Sequence, residues 1–212
     1  MSTSKAEPPR DCPLCPRLVA YRDANRLAQP TWFTGAAPSF GDPDARLLVV
    51  GLAPGRGGAN RTGRPFTGDA AGVLLYATLT KLGYARGDYQ ARPDDSLTLH
   101  DCMITNAVRC APPGNKPLPV EEATCRQFLA ARIAALPRLK AILTLGDVSR
   151  RNVLKALGYP GSAAAPGHGA EFRAGPYRLF NSYHCSRLNT NTGRLTPEMF
   201  EAVFTAARAH IG

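Results

Sequence analysis

The chain of 212 residues is long enough to bury a substantial core, and it fits one domain or one domain with a small appendage. Its composition, 44% hydrophobic and 20% charged, excludes a mostly disordered chain. Lys and Arg outnumber Asp and Glu by 26 to 16, for a net charge of +10. Such a charge suits a surface that binds phosphates, although solubility or another anionic ligand would also explain it.

No apolar run approaches the length of a membrane-spanning helix, and the first residues, MSTSKAEPPR, lack the apolar segment of a secretory signal. We therefore expect a cytoplasmic protein without a membrane partner. No internal repeat is visible, so we expect residues 1–212 to form a single domain.

Helical and β patterns alternate along the chain. In chain order they predict a helix over 18–27, a strand over 46–53, a helix over 70–84, a strand over 102–108, a helix over 120–136, a strand over 141–146, a helix over 147–157, a strand over 177–183 and a helix over 197–211. The strand over 46–53 is continuously apolar, as parallel strands buried on both faces are. The alternation predicts a three-layer α/β/α sandwich around a mainly parallel four-stranded sheet.

Three polar motifs lie at the ends of predicted strands: GLAPGRGG begins at position 51, NAVRCAPPGNKP at 106 and YHCSRLN at 183. In parallel α/β sheets, ligands bind beyond the carboxyl ends of the strands. We therefore expect the three motifs to meet at one crevice.

The segment 51–68 holds six glycines in 18 residues, and glycine serves where the backbone must adopt a positive φ or approach a ligand closely. It has neither the G-x-x-x-x-G-K-[ST] pattern of a phosphate loop nor the G-x-G-x-x-G spacing of a dinucleotide site. Two interpretations remain. The segment is either a purely structural loop or the wall of a pocket, with Arg56, Arg61 and Arg64 near phosphates and Phe66 as a stacking face.

Six cysteines occupy positions 12, 15, 102, 110, 125 and 185. A reducing cytoplasm argues against a disulfide framework. Cys12 and Cys15 form a C-x2-C pair, and with Cys110 and Cys125 they supply four thiolates, enough for a tetrahedral zinc ion or a [4Fe–4S] cluster. The alternative is that Cys110 and Cys125 are small buried residues. Cys102 lies within a strand and is assigned to the core.

Taken together, the motifs point to a known family. GLAPGRGGANRTGRPFTGD, ITNAVRCAPPGNKP and YHCSRLNTNTGRLT strongly resemble segments of the family 5 (type B) uracil-DNA glycosylases, and the resemblance runs from Cys12 through Thr196. Leu52 stands where family 4 enzymes typically have Glu. The NRTGRPFTGD continuation and Cys185, in place of proline, also fit family 5.

The resemblance implies the uracil-DNA glycosylase fold and a structural [4Fe–4S] cluster. Its ligands would be Cys12, Cys15, Cys110 and Cys125, and the cluster would join the N-terminal segment 1–30 to the core.

Cutting an N-glycosidic bond in DNA requires the nucleotide to leave the helix stack, after which the enzyme stabilises a cationic sugar and an anionic base. At the family's motif positions, His184 would donate a hydrogen bond to the base anion, and Asn106 would bind the base or position water. Asp69 would favour the oxocarbenium and orient water at C1′. Each has a plainer interpretation: an exposed or capping histidine, a turn-forming asparagine and a helix N-cap.

The resemblance also implies two sets of contacts. Those to the flipped base are assigned to Gly51, Ala53, Pro54, Phe66 and Asn106. Those to DNA are assigned to Arg56, Asn60, Arg61, Arg64, Ser186, Arg187, Leu188, Asn189 and Arg194. Among these, Leu188 is the candidate wedge for the emptied position in the stack.

The implied function is monofunctional DNA repair: removal of uracil, and of hypoxanthine and xanthine, from duplex DNA to leave an abasic site. Leu52 would give an apolar wall that tolerates the larger bases. The alternatives are a non-catalytic iron–sulfur protein that binds nucleic acid, and an α/β hydrolase or transferase acting on free nucleotides. The absence of a G-x-S-x-G elbow argues against the latter. We expect a monomer that associates with the nucleoid through DNA.

Overall fold

The computed structural model of the protein describes residues 6–212, so the first five residues of the predicted segment 1–30 lie outside the described residues. The strands are β1 (Phe40–Gly41), β2 (Leu47–Gly51), β3 (Ala85–Arg86), β4 (Thr98–Leu99), β5 (Cys102–Asn106), β6 (Ala141–Leu145), β7 (Glu171–Ala174) and β8 (Tyr177–Ser182). The α-helices are α1 (Pro16–Ala28), α2 (Ala59–Thr62), α3 (Ala70–Lys81), α4 (Pro119–Ala134), α5 (Asp147–Ala156), α6 (Arg187–Asn191) and α7 (Pro197–Ile211). Each of the nine predicted elements is present within a few residues of its predicted bounds.

The main sheet has the strand order β1-β5-β2-β6-β8-β7. The four predicted strands form its centre, and all of their pairings are parallel. β2, β5 and β6 are buried along their whole length, which explains their continuously apolar sequences. The prediction of a mainly parallel sheet between helices is confirmed.

The sheet has six strands rather than the predicted four, because an antiparallel strand is added at each edge. β1 is two residues long and too short to give a pattern. β7 reads EFRA, is partly exposed, and forms a hairpin with β8 around Gly175. Edge strands that are this short or partly exposed show little hydrophobic periodicity in the sequence, so the sequence did not predict them.

The two faces of the central strands face different cores, as the period-2 alternation of a strand requires. On one face, Leu47 and Val49 of β2 pack in a cluster with residues of α3 and α7. On the other face, Leu48 and Val50 pack with residues of α4 and α5. Helices therefore cover both sides of the sheet, and the three-layer prediction is correct.

The first helix belongs to a third, smaller cluster. Leu18 of α1 packs there with Val108, which follows β5, and with Phe128 of α4. α1 thus lies against the segment that leaves the carboxyl end of β5. None of the helices in residues 6–212 combines the length and the apolar character that a membrane crossing needs.

Candidate active site

The carboxyl ends of β2, β5 and β8 open into one pocket of about 670 Å³. Residues from all three polar motifs form its wall: Leu52, Ala53, Pro54, Gly55, Arg56, Gly57, Gly58, Ala59, Phe66, Gly68, Asp69, Ala70, Ala71, Asn106, Asn115, His184, Ser186 and Arg187. The predicted convergence of the motifs is confirmed, and we call this cleft the strand-end pocket.

Asp69 has both of the positions considered for it. It is the N-cap of α3, where its Oδ1 accepts a hydrogen bond from the backbone N–H of Gly72 at 3.3 Å. It also lines the strand-end pocket. Its other oxygen points to the glycine loop, because a Cβ added to Gly58 would lie 2.3 Å from Oδ2, and one added to Gly55 would lie 3.2 Å away. The glycines therefore let backbone approach this carboxylate more closely than any side chain would allow.

Asn106 ends β5 directly beside Gly51, which ends β2 and is its register partner. A Cβ on Gly51 would lie 2.4 Å from Asn106 Oδ1 and 2.6 Å from Phe66 Cζ. The backbone of Gly51 is therefore in close contact with both the Asn106 amide and the Phe66 ring. Asn106 is 3% exposed and faces the pocket, so its amide is available to a ligand rather than to a turn.

His184 lies on the far side of the pocket, two residues beyond β8. Its backbone carbonyl accepts a hydrogen bond of 2.8 Å from Asn189 Nδ2, which fixes the start of the loop. Its ring is stacked near Phe66, with centroids 5.9 Å apart and planes inclined by 28°. Burial lowers the pKa of His184, while the carboxylate of Asp69 opposes that shift. The site therefore favours the neutral form of the ring.

The predicted DNA contacts fall into two groups. In the first group, the exposed Arg56 and Arg187 and the half-buried Ser186 line the strand-end pocket, and Leu188 is 73% exposed on the short helix α6. Arg61 and Arg194 are also exposed. Arg194 lies over the ring of Tyr183 at 4.5 Å from its centroid.

Two predicted DNA contacts are corrected by their burial. Arg64 is 5% exposed and forms a bidentate ion pair with Asp95, at 2.7 and 2.8 Å, so its guanidinium has no face left for a phosphate. Asn60 is 2% exposed, and its amide donates to the backbone carbonyl of Arg56. The sequence did not indicate this, because the partner of Arg64 lies far along the chain and that of Asn60 is local backbone. Asn189 is half-buried and gives one amide N–H to the carbonyl of His184, so its contact with DNA stays a prediction.

The site also contains a residue that the residue-level assignments missed. Asn115 lines the strand-end pocket from the end of a 3₁₀ turn, Pro113–Asn115, and has a φ of 57°. Asparagine tolerates this left-handed backbone better than most residues. The PPGN sequence was a usable signal for a turn, but its position at the pocket depends on the path of the chain after β5.

A second cavity, the cysteine pocket, lies near the start of α1. Its volume is about 20 Å³, and Cys12, Cys15, Cys110 and Cys125 all line it. Burial raises the pKa of Cys125 to about 11 and that of Cys110 to about 12. Within residues 6–212, no three His, Cys, Asp or Glu side chains converge closely enough to hold one metal ion. The predicted set of four cysteines is nevertheless brought to one place.

Two buried arginines adjoin the cysteine pocket. Arg22 donates from Nη1 to the backbone carbonyl of Cys12 at 2.9 Å. The backbone N–H of Arg109 donates to Cys125 Sγ at 3.3 Å, and its side chain is only 1% exposed. Arg109 bonds to Glu7 and Ser39 through Nη2, while its Nε and Nη1 have no hydrogen-bond partner among residues 6–212. Two guanidinium groups therefore lie beside the four cysteines, and that of Arg109 is paired with Glu7.

Comparisons with known proteins agree with this arrangement. The model of the Uracil DNA glycosylase superfamily matches residues 38–208. The type-5 uracil-DNA glycosylase of Thermus thermophilus is 44% identical over 208 residues, covering 95% of this chain and 94% of the relative. That of Pyrobaculum aerophilum is 41% identical, covering 95% and 90%, and that of Mycobacterium bovis is 41% identical, covering 95% and 78%. The chain belongs to the uracil-DNA glycosylase superfamily and, within it, to the type-5 uracil-DNA glycosylases.

Proposed function

We propose that the protein flips deaminated bases out of duplex DNA and hydrolyses their N-glycosidic bond. The observation that carries this proposal is the meeting of Asp69, Asn106 and His184, from three distant segments, in one pocket. Uracil is the substrate named for the type-5 relatives. Family membership supports its excision here, and the geometry supports the division of labour among the three residues.

The reaction breaks the bond between C1′ and the base, and water supplies the new C1′–O bond. The Asp69 carboxylate, close to the glycine loop, favours the cationic sugar and orients the water. His184 donates a hydrogen bond to the base as it becomes an anion, while Asn106 holds the base through its amide. Phe66 gives the ring that stacks on the base. The leaving base takes up a proton, and the abasic sugar keeps the hydroxyl group.

We extend the substrate range to hypoxanthine and xanthine. The pocket volume of about 670 Å³ accommodates a bicyclic base, and apolar residues, among them Leu52 and Ala53, form part of its wall. An apolar wall does not strongly reject a larger base by leaving a polar group unpaired, whereas a wall of directed hydrogen bonds would. A mispaired base also costs less to unstack, which favours deaminated bases in a duplex.

We propose further that Cys12, Cys15, Cys110 and Cys125 hold a [4Fe–4S] cluster. Such a cluster distributes its thiolates over four irons, and four cysteines around one pocket fit that arrangement. A cluster bound by four thiolates is an anion, so the buried Arg109 fits its surroundings, since its Nε and Nη1 have no hydrogen-bond partner within residues 6–212. The cluster supplies a structural link between the N-terminal segment and the core.

Duplex DNA is the partner that this site requires. The exposed Arg56 and Arg187 supply positive charge at the strand-end pocket, and Arg61 and Arg194 add exposed charge elsewhere. We propose that Leu188, which is also exposed, enters the stack. We propose that the protein works as a single-domain monomer in the cytoplasm, where it associates with the nucleoid through DNA.

The experiment uses end-labelled duplexes that carry one uracil or one hypoxanthine, incubated with purified protein and then treated with or without alkali. Cleavage that requires alkali establishes a monofunctional glycosylase, and the two rates measure the base range. The Asp69→Asn variant is the matched control for a contaminating enzyme. If cluster-loaded protein binds the duplexes but yields no abasic site in either, the protein is a non-catalytic DNA-binding protein.

A further inference from the structure

Phe66 is held in a conformation that its own sequence does not favour. Its φ is 54°, in the left-handed region that a bulky residue rarely adopts. Backbone of this kind persists at a functional site only when surrounding contacts enforce it. In this protein those contacts come from residues outside the three polar motifs.

Two phenol hydroxyls bond the peptides on either side of this position. Tyr76 of α3 donates to the backbone carbonyl of Pro65 at 2.7 Å, and Tyr89 donates to the carbonyl of Phe66 itself at 3.1 Å. The two tyrosine rings are adjacent, with centroids 4.6 Å apart. Burial raises the pKa of both phenols, so both keep the proton that they donate.

The segment that carries Tyr89 is tied to the glycine loop by a buried ion pair. Arg64 bonds Asp95 through both Nη atoms, and its Nε donates to Thr67 Oγ1 at 2.7 Å. Asp95 also accepts the backbone N–H groups of Gln90 and Leu97, so one carboxylate organises the whole turn beside Tyr89. The side chain of Asp95 is fully buried.

Helix α3 leaves room for the Phe66 carbonyl and the Tyr89 hydroxyl at Gly72. A Cβ on Gly72 would lie 1.8 Å from the carbonyl oxygen of Phe66 and 2.4 Å from the hydroxyl of Tyr89. The Phe66 carbonyl and the Tyr89 hydroxyl therefore both lie too close to α3 at this position for any residue larger than glycine. Nothing in the glycosylase chemistry requires this contact, because Tyr76 and Tyr89 do not line the strand-end pocket.

We propose that Tyr89, together with Tyr76, is a positioning residue that fixes the backbone of Phe66 and so sets the plane on which the flipped base stacks. This inference rests on the proposed glycosylase function. The ring of Phe66 is inclined by 28° to that of His184. A rotation of the Phe66 peptide would change this angle. Tyr89 therefore acts on base binding through Phe66, without touching the base.

The test compares Tyr89→Phe with Tyr84→Phe, which removes the hydroxyl of a buried tyrosine elsewhere in the same core cluster. Both variants keep their rings, so packing is preserved. We expect Tyr89→Phe to reduce the single-turnover rate on a uracil duplex about five- to tenfold, the scale of one net hydrogen bond, and to weaken inhibition by free uracil by a similar factor. Tyr84→Phe should stay within about twofold of the wild type on both measures.

A double-mutant cycle separates positioning from general stability. In a Phe66→Leu background, Tyr89→Phe should cost no further rate, because the ring that it positions is gone. The same loss in both backgrounds, or a rate for Tyr89→Phe within twofold of the wild type, overturns the proposal. Thermal unfolding of each variant identifies any that has not folded, and Tyr76→Phe then replaces it in the cycle. A wild-type protein that cleaves no duplex refutes the proposed function instead, so the two failures are distinct.

Discussion

The strand-end pocket and the cysteine pocket differ in size and in the character of their walls. The strand-end pocket is wide, and its polar side chains face a space of about 670 Å³. The cysteine pocket is about 20 Å³, and it is closed by apolar residues, among them Leu18, Val108 and Phe128. The strand-end pocket is open enough for a substrate to bind and leave. The cysteine pocket would suit a permanently bound group, such as the proposed cluster.

Substitutions in the strand-end pocket should therefore change the rate of the reaction, whereas substitutions in the cysteine pocket should change the stability of the fold. The polar residues of the strand-end pocket lie at strand ends and against glycine backbone, so we expect that their polar groups can be substituted with little loss of core packing. Residues of the cysteine pocket join α1, α4 and the segment after β5, so their loss separates parts of the fold. Each prediction below tests whether one pocket can be altered without the other.

The largest expected effect follows from Cys125→Ser. We expect bound iron to fall from about four per chain to almost none, because one ligand of the cluster is lost. The free energy of unfolding should fall by at least about 4 kcal/mol, the contribution of a ligand held at a thousand times its dissociation constant. Iron analysis and denaturant unfolding measure the two changes.

Cys102→Ala is the matched control, since Cys102 is buried in β5 and does not line the cysteine pocket. It should keep its iron. Full iron in Cys125→Ser would show that the cysteine pocket does not hold the cluster.

Asp69→Asn should have the next largest effect, this time on the rate alone. Asparagine is as good an N-cap as aspartate, so the free energy of unfolding should change by less than about 0.5 kcal/mol. The single-turnover rate on uracil should fall about 10²- to 10³-fold, because one preorganised electrostatic group is removed from the transition state. A variant that loses stability and rate together would argue that Asp69 is mainly a cap.

Gly58→Ala should give a smaller loss, through displacement of the same carboxylate. The added methyl group would lie 2.3 Å from Asp69 Oδ2, so the carboxylate must move. We expect a rate about 10- to 100-fold lower, in line with a misplacement of about 1 Å. Gly57→Ala is the control from the same loop, because no atom lies within 4 Å of its added Cβ. Equal rates for the two variants would contradict the predicted close approach.

The smallest effect concerns pH. Burial lowers the pKa of His184 below its ordinary value of 6.5, so the folded protein keeps a neutral ring at pH values where the unfolded chain is already protonated. Stability from this residue is therefore complete above about pH 6.5 and declines as the pH falls toward the lower folded value. The single-turnover rate should be constant down to pH 6.5 and fall only below it. The His184→Asn variant should lose the part of this decline in rate that comes from protonation of the imidazole.

The sequence was sufficient for the central sheet because its strands are apolar throughout and its helices carry clear periodicity. It was insufficient for β1, which has two residues, and for the hairpin strand β7.

The motifs predicted Asp69, Asn106 and His184 at one edge of the sheet, because the strand ends meet there. They failed for Arg64, since a guanidinium in a basic motif looks the same whether it faces phosphate or a buried Asp95 far along the chain. They also gave no sign of Tyr89, whose contact with Phe66 exists only in the folded molecule.

The placement of the strand-end pocket also bears on when the protein acquires activity during synthesis. Asp69 comes early in the chain and His184 late, and Phe200 and Phe204 of the last helix pack in the same core as Phe66 and Leu75. Contacts so distant in sequence form only after the intervening chain has closed into the sheet. A chain still being translated therefore lacks part of the core that supports the strand-end pocket, and we expect excision of uracil only after α7 has been synthesised.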